Sequence, residues 1–268
     1  MTALTSAPRS SSAVATSAAG RLPGFGPLLR KELTEWRRAR RSWIVFGVSF
    51  LFLTLGSLNA WLISNLPADI TEGAEPPILD PLVNLIGPIT THVFVIAAIF
   101  AVMAVISAER ESGTLAWTAS KPVSRSAIWL SKFAAASGVL WIVAGIVPLV
   151  ATVAVVVVLY GPVPITTVVA VGIGMGMVIA LYIAVALAAS TLVTSQAAVA
   201  GITLAVISVA PMIAAFLPDP TLMPTSILDW TVKLGVGEPV SIVSPFAWAL
   251  TVTALVAFSL RRMERMEL

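Results

Sequence analysis

The sequence contains no cysteine, and His92 is its one histidine. Without thiols the chain cannot form a disulfide framework, use thiolate catalysis or hold a metal through cysteine. Charge is scarce too, because Asp, Glu, Lys and Arg make up 11% of the residues, whereas a soluble domain carries about 25%. Hydrophobic residues account for 58% of the chain. So little polar surface predicts a protein that lies in a lipid bilayer.

Charged residues are absent from four long stretches, which are residues 42–68, 81–108, 133–218 and 239–260. A helix needs about 20 apolar residues to cross the hydrocarbon core, so the first, second and fourth stretches each hold one span. The third stretch holds three, because the prolines of 160–164 and the polar residues of 190–196 interrupt it. The sequence therefore predicts an all-α membrane protein with six transmembrane helices, near residues 42–64, 88–107, 129–160, 165–190, 197–217 and 244–260.

The lysines and arginines predict the orientation of these helices. All of them except Lys233 precede residue 42, lie within 108–132 or follow residue 260. By the positive-inside rule, both termini and the 108–132 segment are expected in the cytoplasm. The opposite side is acidic, with Asp69, Glu72, Glu75, Asp80, Asp219, Asp229 and Glu238. The net charge of +3 is thus a topology signal, and no nucleic-acid partner is predicted.

The chain divides into four regions. Residues 1–23 are rich in Ala, Ser and Thr without apolar periodicity and predict a disordered tail. Residues 24–41 combine apolar side chains at helical spacing with basic ones opposite, which predicts an interfacial amphipathic helix or simply a basic anchor for the first span. The six-span domain follows over 42–262, with a cytoplasmic loop at 108–128 and an outer re-entrant segment of short helices at 218–243. A cytoplasmic tail, 263–268, ends the chain.

A stripe of small residues marks the predicted fourth span. Gly172, Gly176, Ala180 and Ala184 recur at every fourth position. Small side chains at this spacing let two helix backbones approach closely. We interpret the stripe as a packing surface, either within the bundle or between subunits.

The apolar stretches contain no Asp, Glu, Lys or Arg. Ion-coupled transporters need ionisable groups within the membrane, and His92 is more simply explained as an interfacial histidine bonded to water or backbone. The chain also has no phosphate-binding loop and no grouping of catalytic side chains, so no catalytic residue, cofactor or metal site is predicted. Energy for uphill transport would have to come from another polypeptide.

The 108–132 segment reads AERESGTLAWTASKPVSRSAIWLSK. Ser112 is suited to cap a short helix that contains Leu115 and Trp117 and ends before Pro122, and Ser124 is suited to cap the next helix. A short rigid helix joined to two spans would move both together when pushed. The alternative is an ordinary, positively charged inside loop.

These residues resemble the cytoplasmic loop of ABC-2 type transporter permeases. The matching positions are Glu109, Arg110, Glu111, Gly113, Thr114, Leu115, Pro122, Val123, Ser124, Arg125 and Lys132. The N-terminal sequence is also similar to the family's amphipathic helix, at Arg30, Lys31, Glu32 and Leu33. Six spans with both ends inside agree with that family.

The resemblance implies a half-transporter in the cytoplasmic membrane of a prokaryote. It pairs with a second permease copy or a homologue and with two cytoplasmic ABC ATPase subunits, which bind ATP and Mg. The implied ATPase contacts are Glu109, Arg110, Glu111, Gly113, Thr114, Leu115, Trp117, Pro122 and Arg125. The amphipathic helix, with Arg30, Lys31, Glu32, Leu33 and Trp36, would be a second contact. Implied substrates are exported drugs, antibiotics, lipids or glycolipids, which are hydrophobic or amphipathic.

Other functions remain open at this point. A membrane anchor or assembly module with the same six spans would recruit a partner without moving a substrate. A passive channel or secondary carrier would work without ATP, although the charge-free spans disfavour it. A membrane enzyme is the weakest alternative because catalytic side chains are lacking.

Overall fold

The computed structural model of the chain describes residues 22–67, 78–90, 123–193 and 195–265, and these residues contain helices but no strand. The α-helices are α1 (Phe25–Arg38), α2 (Arg40–Ser64), α3 (Pro81–Thr90), α4 (Arg125–Leu140), α5 (Val147–Leu159), α6 (Ile165–Leu192), α7 (Gln196–Phe216), α8 (Ile227–Val236) and α9 (Val243–Arg265). A π-helical segment, Trp141–Ile146, joins α4 to α5, and two 3₁₀ turns, Pro220–Leu222 and Pro224–Ser226, precede α8.

Five of the described helices are long and apolar enough to cross a membrane. They are Arg40–Ser64, Arg125–Leu159, Ile165–Leu192, Gln196–Phe216 and Val243–Arg265. The all-α class is therefore confirmed. Of the predicted second span, α3 covers only the beginning, and residues 91–107 lie outside the described residues. The sixth span and the cytoplasmic position of both ends stay predictions.

Several other predictions also fall outside the described residues. They concern most of the N-terminal tail, the cytoplasmic loop through Pro122, His92, the acids of 69–75 and the last three residues. The predicted helix interruptions can be located, since α5 ends at Leu159 before α6 begins at Ile165, and α6 ends at Leu192 before α7 begins at Gln196.

The predicted third span is a single 35-residue helical path with an irregular middle. At the end of the π-helical segment the Val147 amide donates to the Ile142 carbonyl, five residues back. Pro148 follows directly; it has no N–H and its ring crowds the carbonyl four residues before it. A local π turn accommodates this defect without ending the helix.

α6 is the central helix of the described bundle. Within its most apolar window 61% of the residues are buried, against at most 33% for the other four candidate spans. It contacts α4, α7, α8 and α9. Its buried residues combine large side chains, including Met175, Ile179 and Tyr182, with small ones such as Gly172, Gly174 and Ala184. α2 packs instead against α3, α5 and the π-helical segment. The long helices around α6, and α2 with them, leave apolar side chains exposed, as expected for surfaces that face lipid.

The 218–243 segment folds into short helices, of which α8 packs against α6 and the two 3₁₀ turns pack against α9. α8 ends at Val236, and the following Gly237 has a positive φ of 82°. α8 bonds to α6 at Gly235, whose carbonyl accepts hydrogen bonds from the Thr167 hydroxyl at 3.0 Å and the Thr166 hydroxyl at 3.2 Å. How deeply this segment enters a membrane stays a prediction.

Candidate functional site

Three chain segments meet at one end of the bundle: the start of α1, the start of α4 and the end of α9. The Ser124 amide donates to the Pro23 carbonyl at 3.2 Å. The Arg125 guanidinium donates to the carbonyls of Met263 at 3.2 Å and Glu264 at 3.3 Å. We call this region, residues 23–43, 123–133 and 263–264, the basal junction.

A glycine allows α1 to begin beside α4. Gly24 has a φ of 86°, a left-handed conformation that side chains with a Cβ rarely adopt. A Cβ at this position would overlap the Val123 side chain. Ser124 then caps α4, because its hydroxyl accepts from the Ala127 amide at 3.1 Å. The sequence predicted this cap, which satisfies one of the free amides of the first turn.

A buried ion pair joins α1 to α4. Lys132 Nζ lies 2.8 Å from Glu32 Oε1, and the two side chains are 5% and 3% exposed. The second carboxylate oxygen, Glu32 Oε2, is buried without a partner among the described residues. Removing one member of such a pair leaves an uncompensated buried charge and costs about 3–5 kcal/mol. The pair therefore holds the two helices in one arrangement.

Two buried tryptophans lie within one helical turn of the paired residues, Trp36 four positions after Glu32 on α1 and Trp129 three positions before Lys132 on α4. Trp36 is 1% and Trp129 2% exposed. Trp129 stacks on Phe133 with ring centroids 5.4 Å apart and planes inclined by 13°. The Arg41 guanidinium lies 4.5 Å from the Trp36 ring centroid, a cation–π contact that connects α1 to the start of α2. The aromatic rings thus add buried apolar surface near the ion pair.

The opposite face of α1 is basic and exposed. Arg30, Lys31, Arg37 and Arg38 all lie on it, beside a surface groove of about 820 Å³. The inward face differs from a purely apolar stripe, since Glu32 is buried on it while Leu33 is 38% exposed. The reason is Lys132, which supplies the partner that a buried carboxylate requires.

Of the ATPase contacts implied for the cytoplasmic loop, only Arg125 lies among the described residues. It is half-buried, and its bonds to the last carbonyls of α9 place a cation at a helix C-terminus, where the helix dipole favours positive charge. Glu109, Arg110, Glu111, Gly113, Thr114, Leu115, Trp117 and Pro122 lie outside the described residues. The segment that contains them leads directly into the basal junction at Val123.

The small-residue stripe of α6 faces the irregular part of the third span. The Trp141 indole donates to the Gly172 carbonyl at 2.7 Å. A Cβ added at Gly176 would lie 2.7 Å from Trp141 Nε1, and one at Gly172 would lie 3.3 Å from Ile146 Cδ1. Ala184 is buried and Ala180 is half-buried. Gly172 and Gly176 let a tryptophan and the π-helical segment approach the α6 backbone within this chain.

Sequence reasoning missed the pairing of Glu32 with Lys132. A signal was present, since Glu32 lies on the apolar side of α1 and Lys132 precedes the longest uncharged stretch. Which distant residue would satisfy each charge could not be read from spacing. Throughout the four described ranges, no three acidic or histidine side chains form a group that could hold a metal ion.

Comparison with known proteins agrees with this architecture. A family model described as ABC-2 family transporter protein matches residues 28–265. The match includes most of α1, most of the basal junction and all five candidate spans. No curated protein matches the chain.

Proposed function

The chain belongs to the ABC-2 family of transporter proteins, and on that premise we propose that it is the permease of an exporter driven by ATP hydrolysis in a separate subunit. The family match over residues 28–265 and the five candidate spans support a transport component with several transmembrane helices. The sequence offers no phosphate-binding loop of its own, so ATP and Mg are assigned to the partner.

The observation that carries the proposal is the construction of the basal junction. The loop 109–122 enters α4 at a capped first turn, and α4 continues as a 35-residue helical path. The buried Glu32–Lys132 pair ties α1 to the same helix. A push on the loop by an ATPase subunit would then move α1 and the third span together.

In this mechanism the exposed basic face of α1 is a second contact for the ATPase, and residues 112–121 form the first. Two permease copies, or this chain and a homologue, would enclose the transport pathway. The substrate class proposed is hydrophobic or amphipathic, because the described spans present apolar side chains beyond the basal junction.

The experiment is an affinity purification of the full chain from its native membranes in mild detergent. We expect an ATP-hydrolysing subunit at equal stoichiometry, and its loss when Leu115→Asp is introduced. The matched control is Lys233→Gln, which removes an exposed charge on α8 at the proposed outer side and should leave the partner bound.

Two results would contradict the proposal. One is a chain that purifies alone under conditions that preserve its folded state. The other is an ATPase subunit that stays bound to the Leu115→Asp variant and still supports transport at the native rate. Conductance by the reconstituted chain without ATP would identify a passive channel instead.

A further inference from the structure

A groove of about 280 Å³ lies at the end of α9 and is lined by Phe258, Arg261, Arg262 and Arg265. The arginines follow Phe258 by three, four and seven positions, which places all four side chains on one face of the helix. All four are exposed, and Phe258 is 45% exposed. This face therefore combines three guanidinium groups with an aromatic ring, and the function proposed above does not use it.

The opposite face of the same two helical turns is held against the protein. Ser259 and Met263 are buried there, and Met263 belongs to the hydrophobic core. The Arg125 guanidinium donates to the Met263 carbonyl at 3.2 Å and to the Glu264 carbonyl at 3.3 Å, which connects the last turn of α9 to the start of α4. Helix ends commonly fray, whereas these contacts fix this one. The three arginines are thus carried by a backbone of defined position.

The positive charge of the groove is not compensated within the described ranges. No carboxylate there forms an ion pair with Arg261, Arg262 or Arg265. Glu264 is the nearest acid in sequence, and it does not line the groove. Like charges three and four positions apart on a helix repel each other, so an anion between them would be stabilising. The planar guanidinium group matches the oxygen atoms of phosphate in particular.

The groove lies where α9 leaves the hydrocarbon. α9 is a candidate span, and the uncharged stretch 239–260 ends directly before Arg261. Arginines at the end of a span extend their charged groups to the headgroup level. Phe258 begins about 4.5 Å deeper along the helix axis, three residues at 1.5 Å each, and is therefore at the level of the acyl chains. The groove presents cations to the headgroups and an apolar ring just below them.

We propose that this groove binds an anionic phospholipid. The phosphate lies between Arg261, Arg262 and Arg265, and the first part of an acyl chain lies against Phe258. A soluble phosphate would contact the arginines only, and an acidic protein surface does not extend below the headgroups. A phospholipid covers both levels with one molecule, and basic side chains at the membrane surface attract its anionic form. The proposal does not depend on the transport activity.

The test uses the full chain in phosphatidylcholine nanodiscs that contain a small proportion of photoreactive phosphatidylglycerol, with a diazirine near the ester of one acyl chain. Photoreactive phosphatidylcholine is the comparison lipid. Fragmentation mass spectrometry locates the labelled residue, and competition by unlabelled phosphatidylglycerol gives the preference over phosphatidylcholine. We expect phosphatidylglycerol to label α9 at and around Phe258. Arg261→Gln/Arg265→Gln should lower the preference about tenfold to thirtyfold, because each basic residue near the surface contributes about fivefold.

The matched control is Arg37→Gln/Arg40→Gln, which removes the same charge from exposed arginines that do not line the groove. This control should leave labelling at Phe258 unchanged. An equal loss in both variants would overturn the proposal, because it would reflect the total surface charge. Labelling that is unaffected by Arg261→Gln/Arg265→Gln would do so as well.

Two further outcomes would identify a different ligand and overturn the lipid assignment. Displacement of the probe by soluble glycerol phosphate, at concentrations similar to those of the lipid, would indicate a site for free phosphate. Loss of a co-purifying ATPase subunit from Arg261→Gln/Arg265→Gln, with phosphatidylglycerol labelling unchanged, would indicate that the arginines bind a protein. Because lipid labelling is measured on the chain alone, a failure of the proposed transport function would leave the result of this test unaffected.

Discussion

The buried pair between Glu32 and Lys132 leads to a quantitative prediction about the basal junction. Replacing Lys132 with Met keeps the length of the side chain and removes its charge. Glu32 Oε1 then loses the ammonium at 2.8 Å, and Oε2 already lacks a partner among the described residues. The carboxylate remains buried, because Glu32 is 2% exposed, and water does not solvate it.

The magnitude follows from the balance of attraction and desolvation. At an effective dielectric constant of about 20, two unit charges 2.8 Å apart attract by about 6 kcal/mol. Desolvation of the two ions offsets this by several kcal/mol each, so the pair as a whole is worth little compared with two apolar residues. Breaking it from one side costs about 3–5 kcal/mol, because one desolvated ion remains. Replacing both residues by Met should therefore be much less costly than replacing either one.

The assay measures local opening of the junction. The chain has no native cysteine, so Ile128→Cys introduces one reporter, one helical turn before Lys132 at a side chain that is 2% exposed. Its modification by a maleimide requires the packing around the start of α4 to open. In this background, Lys132→Met should raise the modification rate on the order of 10²- to 10⁴-fold, since each 1.4 kcal/mol is tenfold. The Glu32→Met/Lys132→Met variant should restore most of the protection.

The control is the exposed pair on the same helix. Lys31 and Glu35 lie 3.3 Å apart with side chains 46% and 45% exposed, and such surface pairs contribute about 0–1 kcal/mol. Glu35→Gln should thus change the modification rate by no more than about fivefold. The reasoning is refuted if Lys132→Met and Glu35→Gln have similar effects, or if the double variant opens as readily as Lys132→Met alone.

Three further predictions concern other parts of the fold. Gly235→Ala should destabilise the fold by about 1–3 kcal/mol, because the added Cβ would lie 2.8 Å from the Thr167 Cα. Gly201→Ala is the comparison: its Cβ would enter open space, so it should stabilise the helix by about 0.5–1 kcal/mol. Thermal unfolding followed by circular dichroism measures both. Ser124→Ala removes the cap of α4 and should cost about 1 kcal/mol, seen as about fivefold faster hydrogen exchange at the Ala127 amide, with Ser124→Asp retaining protection. Hydrogen bonds from the Thr221 hydroxyl and amide lower the pKa of the exposed Asp219 carboxyl below its ordinary 3.8. The ionised carboxylate therefore stabilises the turn at Asp219–Thr221 above pH 3.8, and this stabilisation is lost as the pH falls through the lowered pKa. Carbon-13 NMR of the carboxyl group should show that Thr221→Val raises the pKa toward 3.8, and an unchanged value would contradict the assigned cause.

Local physical rules account for the parts of the fold that the sequence predicted. A bilayer requires about 20 apolar residues per span and leaves no water for unpaired backbone groups, so long uncharged stretches must be helical. Prolines and polar residues then place the breaks near residues 160–164 and 190–196. The cap at Ser124 is equally local, because it involves an amide three residues away.

The candidate site was only partly predictable. The basic face of α1 followed from helical periodicity, and it is exposed in the structure. The partner of Glu32 did not follow, because Lys132 is 100 residues away in sequence and becomes adjacent only when α1 packs against α4. The π-helical segment before Pro148 was also missed, since a proline in a long apolar helix is compatible with several local adjustments.

By itself, the sequence determined that this is a helical membrane protein, where most of its helices begin and end, and to which family it is similar. Only the tertiary structure decided that α6 lies at the centre of the described bundle and that Glu32 meets Lys132. The physical reason is that lipid tails are as apolar as a protein interior. A lipid-facing surface and a packed surface therefore have the same hydropathy, and only the three-dimensional arrangement distinguishes them.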